Sequence, residues 1–373
     1  MHFVRTNNRK DEDMANLHSA LAEEAKSEAR AKTAFVLATF YVSLAAGSCL
    51  RAQPTVVLFV VDGLQNDAAQ IAAANGATHL KFFLHHGVRV EEALCTSPSA
   101  VVILPDSSRP WGTAAPPNVA MHTGTHVFES RAIDDVFLAA RRSGIRSVFA
   151  GSADNYNVFT SADFHHARSY TDSFCVAFAV EHLVRDTVRL FSIHLQELRR
   201  AWKGPAGKVD PLSSYQQSLL HADRQLGRLI DAVKSAGRWE STYVVIASDH
   251  GMGTTERSDH PASEPTSWRS FMCFYGPGIR QGATIPYAET PDIAVFIAYV
   301  LNIGRLRGHA DTVVTKAPKG VTGTLLSDLF EHGPREITHP LLVRRYLEKN
   351  RWAPEDRFSD YRSGMLELLG ESH

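Results

Sequence analysis

A mostly parallel β-sheet with helices on both faces, the α/β class, is the fold the sequence predicts, and three observations predict it. Continuous apolar, β-branched runs of strand length recur along the chain, as in TVVLFVV at residues 55–61, and such runs suit strands buried on both faces. Stretches with apolar residues three and four apart, the spacing of an amphipathic helix, lie between them. Two of the runs end in ligand-competent residues, Asp62-Gly63 and Ser248-Asp249-His250, and open α/β sheets bind ligands beyond the carboxyl ends of their strands.

In chain order, residues 1–53 read as a leader. Lys26, Arg30 and Lys32 precede AFVLATFYVSLAAGS at residues 34–48, an uncharged stretch ending at Cys49, which is the layout of an export signal. Ala46, Gly47 and Ser48 supply small residues for cleavage, and Met14 is an alternative start. The run is short against the roughly 20 apolar residues of a spanning helix, and an N-terminal membrane anchor is the alternative reading. The main domain is expected over residues 54–320. Strands are read at 55–61, 147–150, 188–194, 242–248 and 271–274, and helices at 68–74, 135–142, 215–235 and 291–301. Residues 321–373, with Trp352, Pro354 and many charges, read as a C-terminal extension packed on that domain.

Composition narrows the function. The 373 residues carry 39 Lys+Arg against 40 Asp+Glu, a formal net charge of −1, so no bulk field recruits nucleic acid or acidic lipid. The chain is expected to meet a membrane only through its N-terminal segment. Its four cysteines form no CxxC pair, which excludes a disulfide-dense scaffold and a cysteine-based zinc module. A metal would then need histidine and carboxylate ligands. Asp62 at one strand end, Asp249 and His250 in SDHGMG at another, and His260 downstream are such groups, and strands of one parallel sheet bring them to one edge.

The motifs VVDG at residues 60–63, SDHGMG at 248–253, His260, FYGPGIRQG at 274–282 and TPDIAVFIAYVLNI at 290–303 occur in an order that resembles the alkaline phosphatase superfamily. The likeness is to its type I phosphodiesterase/nucleotide pyrophosphatase and sulfatase branch, and it spans residues 55–303. The resemblance implies an α/β sheet, one or two divalent metals, and hydrolysis of phosphate or sulfate esters through a threonine, serine or formylglycine nucleophile. On that pattern Asp62, Asp249 and His250 hold one metal, zinc with calcium or manganese as alternatives, and His260 belongs to a second. One site is expected rather than two.

Two departures from the pattern accompany it. Laid on AAPPNVAMHTG at residues 114–124, the family's nucleophile position falls on Ala114, whose methyl group cannot attack; Thr113 and Ser108 are the nearest hydroxyls. In HLQELRRAWK at residues 194–203, Arg199 stands at the carboxylate and Lys203 at the imidazole that hold the second metal. These cations cannot ligate while protonated, but they can neutralise a tetrahedral oxyanion. Glu197 is an alternative displaced ligand, and Asn118 and His126 are pocket candidates. The sulfatase Cys-x-Pro-x-Arg precursor is missing, since Cys95 opens CTSPSA. The expected function is an exported, metal-dependent hydrolase of small-molecule phosphate esters or diesters. Two alternatives stand beside it: a member that binds metal or oxyanions without turnover, and a sulfatase-like or phospho-transfer enzyme.

Overall fold

The computed structural model describes residues 53–333 except positions 97, 99–101, 104–112, 115, 126–133, 154–158, 160, 168–170, 186, 256–258, 262, 305 and 307–320. The expected leader, Ser108, His126 and most of the expected C-terminal extension lie outside these residues. In chain order the elements are β1 (Thr55–Val61), α1 (Asn66–Ala74), α2 (Thr78–His86), β2 (Val88–Leu94), β3 (Val102–Ile103), β4 (Thr113–Ala114), α3 (Pro116–Thr123) and α4 (Val136–Arg142). There follow β5 (Arg146–Gly151), β6 (Phe164–Ala167), α5 (Asp172–Arg185), β7 (Val188–Leu195), α6 (Glu197–Arg200), α7 (Ala206–Val209) and α8 (Ser214–Ser235). The last are β8 (Thr242–Ala247), α9 (Pro265–Trp268), β9 (Met272–Tyr275), β10 (Ala283–Glu289) and α10 (Thr290–Leu301).

The main sheet has eight strands in the order β10-β2-β9-β8-β1-β7-β5-β6. Only β9 runs antiparallel to its neighbours, β2 and β8; the other pairings are parallel. The α/β expectation is therefore met. β1 lies at the centre, and all seven of its residues are buried. Its side chains alternate between two cores: Val56, Leu58 and Val60 pack with α3, α4 and α10, whereas Val57, Phe59 and Val61 pack with α1, α2, α5 and α8. Burying each such side chain contributes about 1.5–3 kcal/mol, so the centre of the sheet is the stiffest platform the fold offers.

Helix ends carry their own signals. Ser213 caps α8 by accepting from the Gln216 amide at 3.1 Å, and Asp135 caps α4 by accepting from the Leu138 amide at 2.8 Å. At α10 the Glu289 and Asp292 side chains form a reciprocal capping box, with Pro291 in the first turn. Downstream, Leu326 and Leu329 are fully buried in the first core. Among the described residues no helix is long and apolar enough to cross a membrane.

The structure adds elements the hydrophobic pattern does not announce. β2 reads VRVEEAL, with Glu91 exposed, so its apolar run is broken; β10 and β6 likewise carry polar residues toward the sheet margins. α5, DSFCVAFAVEHLVR, is apolar on too many positions for a clean helical stripe.

Candidate active site

Three adjacent parallel strands, β8, β1 and β7, aim their carboxyl ends at one place. Register pairs Val60 with Ala247 on one side and with His194 on the other, so Asp62, Asp249-His250 and His194 leave the sheet together. Two hydroxyls fasten the turns to one another. Ser248 Oγ accepts from the Leu64 amide at 2.9 Å and donates to the His250 carbonyl at 2.7 Å, while the Tyr215 hydroxyl donates to the Gly63 carbonyl at 2.8 Å. Gly63 has φ +76°, a conformation that favours glycine, and a Cβ there would lie 2.6 Å from Met252 Sδ and displace that side chain.

The resulting cluster is almost wholly out of water: Asp62 and His194 are 0% exposed, Asp249 and His250 1%. His250 Nε2 lies 3.4 Å from Asp62 Oδ1 and 3.6 Å from Asp249 Oδ2. His194 Nε2 is 3.6 Å from Asp249 Oδ2, and Asp62, His194 and Asp249 each offer a ligand atom within 4.8 Å of the others. The His250 Nδ1–H donates to the Gly251 carbonyl at 2.8 Å, which leaves the Nε2 lone pair facing the carboxylates. Asn118 Nδ2, from α3, donates to Asp249 Oδ2 at 3.1 Å. His122, one helical turn on, donates from Nδ1 to the Asn118 carbonyl at 2.6 Å and accepts from Ser192 Oγ at 2.8 Å.

The electrostatics follow from burial. Desolvation, and next the Asp249 charge, push the Asp62 carboxyl up to about 6, partly offset by His250, Arg199 and His260. Asp249 is also raised, chiefly by desolvation, against the pull of Arg199 and the Asn118 hydrogen bond. Burial holds His194 and His250 below the usual imidazole value and brings His260 down to about 4. Two crowded carboxylates beside uncharged imidazoles, with the His250 Nε2 lone pair turned toward them, form a donor set that a divalent cation would complete. The residues fit one such ion.

Arg199 stands on the other side of Asp62. Its NH1 is 3.6 Å from Asp62 Oδ2, and its Nε lies 3.1 Å from each carboxylate oxygen of Asp259. Although burial alone would lower it, Asp62 and Asp259 raise the guanidinium further above its ordinary value. The His260 ring lies tilted by 32° against that of His250 with centroids 3.8 Å apart, and its Nε2 is 3.4 Å from Asp259 Oδ2.

Of the residues singled out in the sequence, Asp62, Asp249, His250, His260 and Arg199 thus come together, with Asn118 behind them. Lys203 does not join the buried cluster; it sits exposed on the segment after α6. Glu197 is no displaced ligand in this structure: its carboxylate accepts from the Asp172 amide at 2.9 Å, while Asp172 accepts from the Gln196 and Glu197 amides at 2.9 and 3.2 Å, tying α5 to α6. Thr113 lies in β4, paired with β3, and is not at the helix terminus, which begins at Pro116. Sequence reasoning missed His194 and Asp259. The available signal for His194 was a lone imidazole near the end of the apolar run VRLFSIH, next in the sheet to the strand that carries Asp62.

A sulfatase family model matches residues 144–287. No curated protein sequence matches the chain. Among solved structures, one in complex with D-glucosamine-2-N,6-O-disulfate shares 12% identity over 76% of this chain and 81% of that one, with a TM-score of 0.55. A 4S-sulf structure from the glycosaminoglycan metabolism of Bacteroides thetaiotaomicron shares 14% identity over 77% and 78%, with a TM-score of 0.54. Murine ectonucleotide pyrophosphatase/phosphodiesterase 5, in an inactive threonine-to-alanine form in complex with AMP, shares 14% identity over 70% and 98%, with a TM-score of 0.50. At such identities the structural likeness speaks to the fold. The matched segment and the shared fold agree with the resemblance to the alkaline phosphatase superfamily carried by the motifs of residues 55–303.

Proposed function

We propose that this protein is an exported, metal-dependent hydrolase of phosphate esters or diesters. The observation that carries the reading is the buried meeting of Asp62 and Asp249 with the unprotonated Nε2 of His250 at the carboxyl edge of the sheet. Asp62, Asp249 and His250 would hold one divalent ion, with His194 as a further donor, and the mixed nitrogen and oxygen set suits zinc, with manganese or calcium as alternatives. Bound there, the ion supplies Lewis acidity and positive charge at an ester oxygen.

The chain's own residues supply the rest. Arg199 neutralises non-bridging oxygens of the tetrahedral centre, and Asn118 keeps the Asp249 carboxylate aimed. His260, beside the ion's ligands, carries the proton for the leaving group once the negative charge of the bound ester favours its protonated form. Attack comes from the Thr113 or Ser108 hydroxyl or from water, since Ala114 offers no nucleophile. The displacement is in line, and charge stabilisation provides most of the rate.

Sulfate esters are a second substrate class, favoured by the sulfatase match over residues 144–287. A binding protein without turnover is a further reading, favoured by Ala114, because the murine relative in a threonine-to-alanine form is inactive and yet holds AMP. The test is incubation of the purified full chain with zinc, manganese or calcium and a panel of aryl phosphate monoesters, diesters and sulfates. Turnover that requires metal and falls about 100-fold or more in Asp249→Ala is expected. Turnover indifferent to chelation and to Asp249→Ala would overturn the hydrolase mechanism, whereas metal or anion binding with no turnover would select the binding reading. Thr113→Ala and Ser108→Ala separate hydroxyl attack from water.

A further inference from the structure

Arg199 is shared between two carboxylates of opposite character. Asp62 is fully buried at its NH1, whereas the Asp259 side chain is 51% exposed and takes the Nε and NH2 edge of the guanidinium. The same Asp259 carboxylate lies 3.4 Å from His260 Nε2. His260 is only 14% exposed at its side chain, and neither ring nitrogen has a hydrogen-bond partner among the described residues. A fork of guanidinium N–H groups plus an imidazole, all facing one pair of oxygens beside Asp62, is the donor pattern that grips an edge of a tetrahedral oxyanion.

We propose that Arg199 and His260 form the seat for the substrate's sulfate or phosphate oxygens, and that the Asp259 carboxylate is its resident occupant, displaced when the anionic group enters. The idea rests on the hydrolase reading for the identity of the ligand. Two features make displacement feasible. The Asp259 carboxylate is 51% exposed, so water screens its contact with the guanidinium and a dianion of matching geometry competes for the same N–H groups. The Asp259 carbonyl, meanwhile, accepts from the Gly253 amide at 2.8 Å, which anchors its backbone independently of the side chain.

The experiment uses the zinc-loaded full chain titrated calorimetrically with inorganic sulfate and, separately, inorganic phosphate; the tighter anion reports the ester class. Asp259→Asn and Asp259→Ser are expected to tighten anion binding about fivefold, since each removes the competing charge. Arg199→Gln is expected to weaken it about tenfold or more, alone and combined with Asp259→Asn. Unchanged or weaker binding in the Asp259 variants, or wild-type affinity in Arg199→Gln, would overturn the proposal. In the unmutated chain, sulfate should shift the Arg199 Nε–H resonance, and no shift at saturation counts against the idea even where a variant fails to fold. Metal content and ester turnover on the same samples keep the two proposals apart: an anion seat that obeys these expectations in a chain without turnover sinks the hydrolase alone.

Discussion

Asp62 is a carboxyl whose burial works against its charge. Its carboxyl is raised from 3.8 to about 6 by burial and by Asp249. A raised carboxyl pKa means that its contribution to stability is present below pH 3.8 and is lost as the pH climbs through about 6. At pH 7.5 the ionised group therefore costs the metal-free protein on the order of 2–3 kcal/mol. Asp62→Asn, stripped of metal, should be more stable than the wild type at pH 7.5 and lose that advantage near pH 4, as chemical denaturation at the two pH values will measure. The same variant should fail to retain zinc. Asn118 acts in the opposite sense, since its amide donates to Asp249 Oδ2 from a fully buried position. Asn118→Ala should weaken zinc affinity roughly 10–100-fold, read by competition with a chromophoric chelator, with helix content unchanged by circular dichroism.

At the scale of elements, the two strand-end turns are fixed by close packing as much as by hydrogen bonds. A Cβ on Gly251 would sit 2.1 Å from the Thr266 carbonyl oxygen and 2.3 Å from that of Arg269, both main-chain atoms. Gly251→Ala should cost about 3 kcal/mol or more in urea denaturation and misdirect His250 along with it. The buried strands and these turns were legible in the sequence because residues such as those of TVVLFVV and SDHG carry their constraint locally. Asp62, Asp249, His250 and His260 could be read from strand ends and spacing. His194 could not, because its place beside Asp62 and Asp249 depends on β7 lying beside β1, a pairing between residues far apart in the chain. Asp259 escaped notice for a similar reason: an exposed acidic side chain has meaning only through Arg199, which reaches it across 60 residues. β2 was missed because charged residues such as Glu91 interrupt its apolar pattern, and β10 because Thr284 and Pro286 break its run. Thr113, expected near a helix terminus, belongs instead to a short antiparallel pair whose partner no local pattern announces.

For the molecule as a whole, the sheet order puts its most buried strand, β1, between the two others that carry the cluster, so the site inherits the rigidity of both cores. Metal affinity should then follow the ionisation of the cluster and not global unfolding. His194 and His250, held below the usual imidazole range, stay unprotonated across the neutral region, whereas Asp62 takes up a proton near 6. Zinc affinity should be nearly flat above neutrality and fall about tenfold per pH unit below about 6, while the fold persists by circular dichroism. The most direct measurement is the zinc content of the full chain after chelation, reloading and dialysis, beside Asp62→Asn and Asp249→Ala. One tightly held equivalent in the wild type and background levels in both variants is the expected result; background zinc in the wild type, or an equivalent retained by either variant, would contradict a cation shared by these side chains.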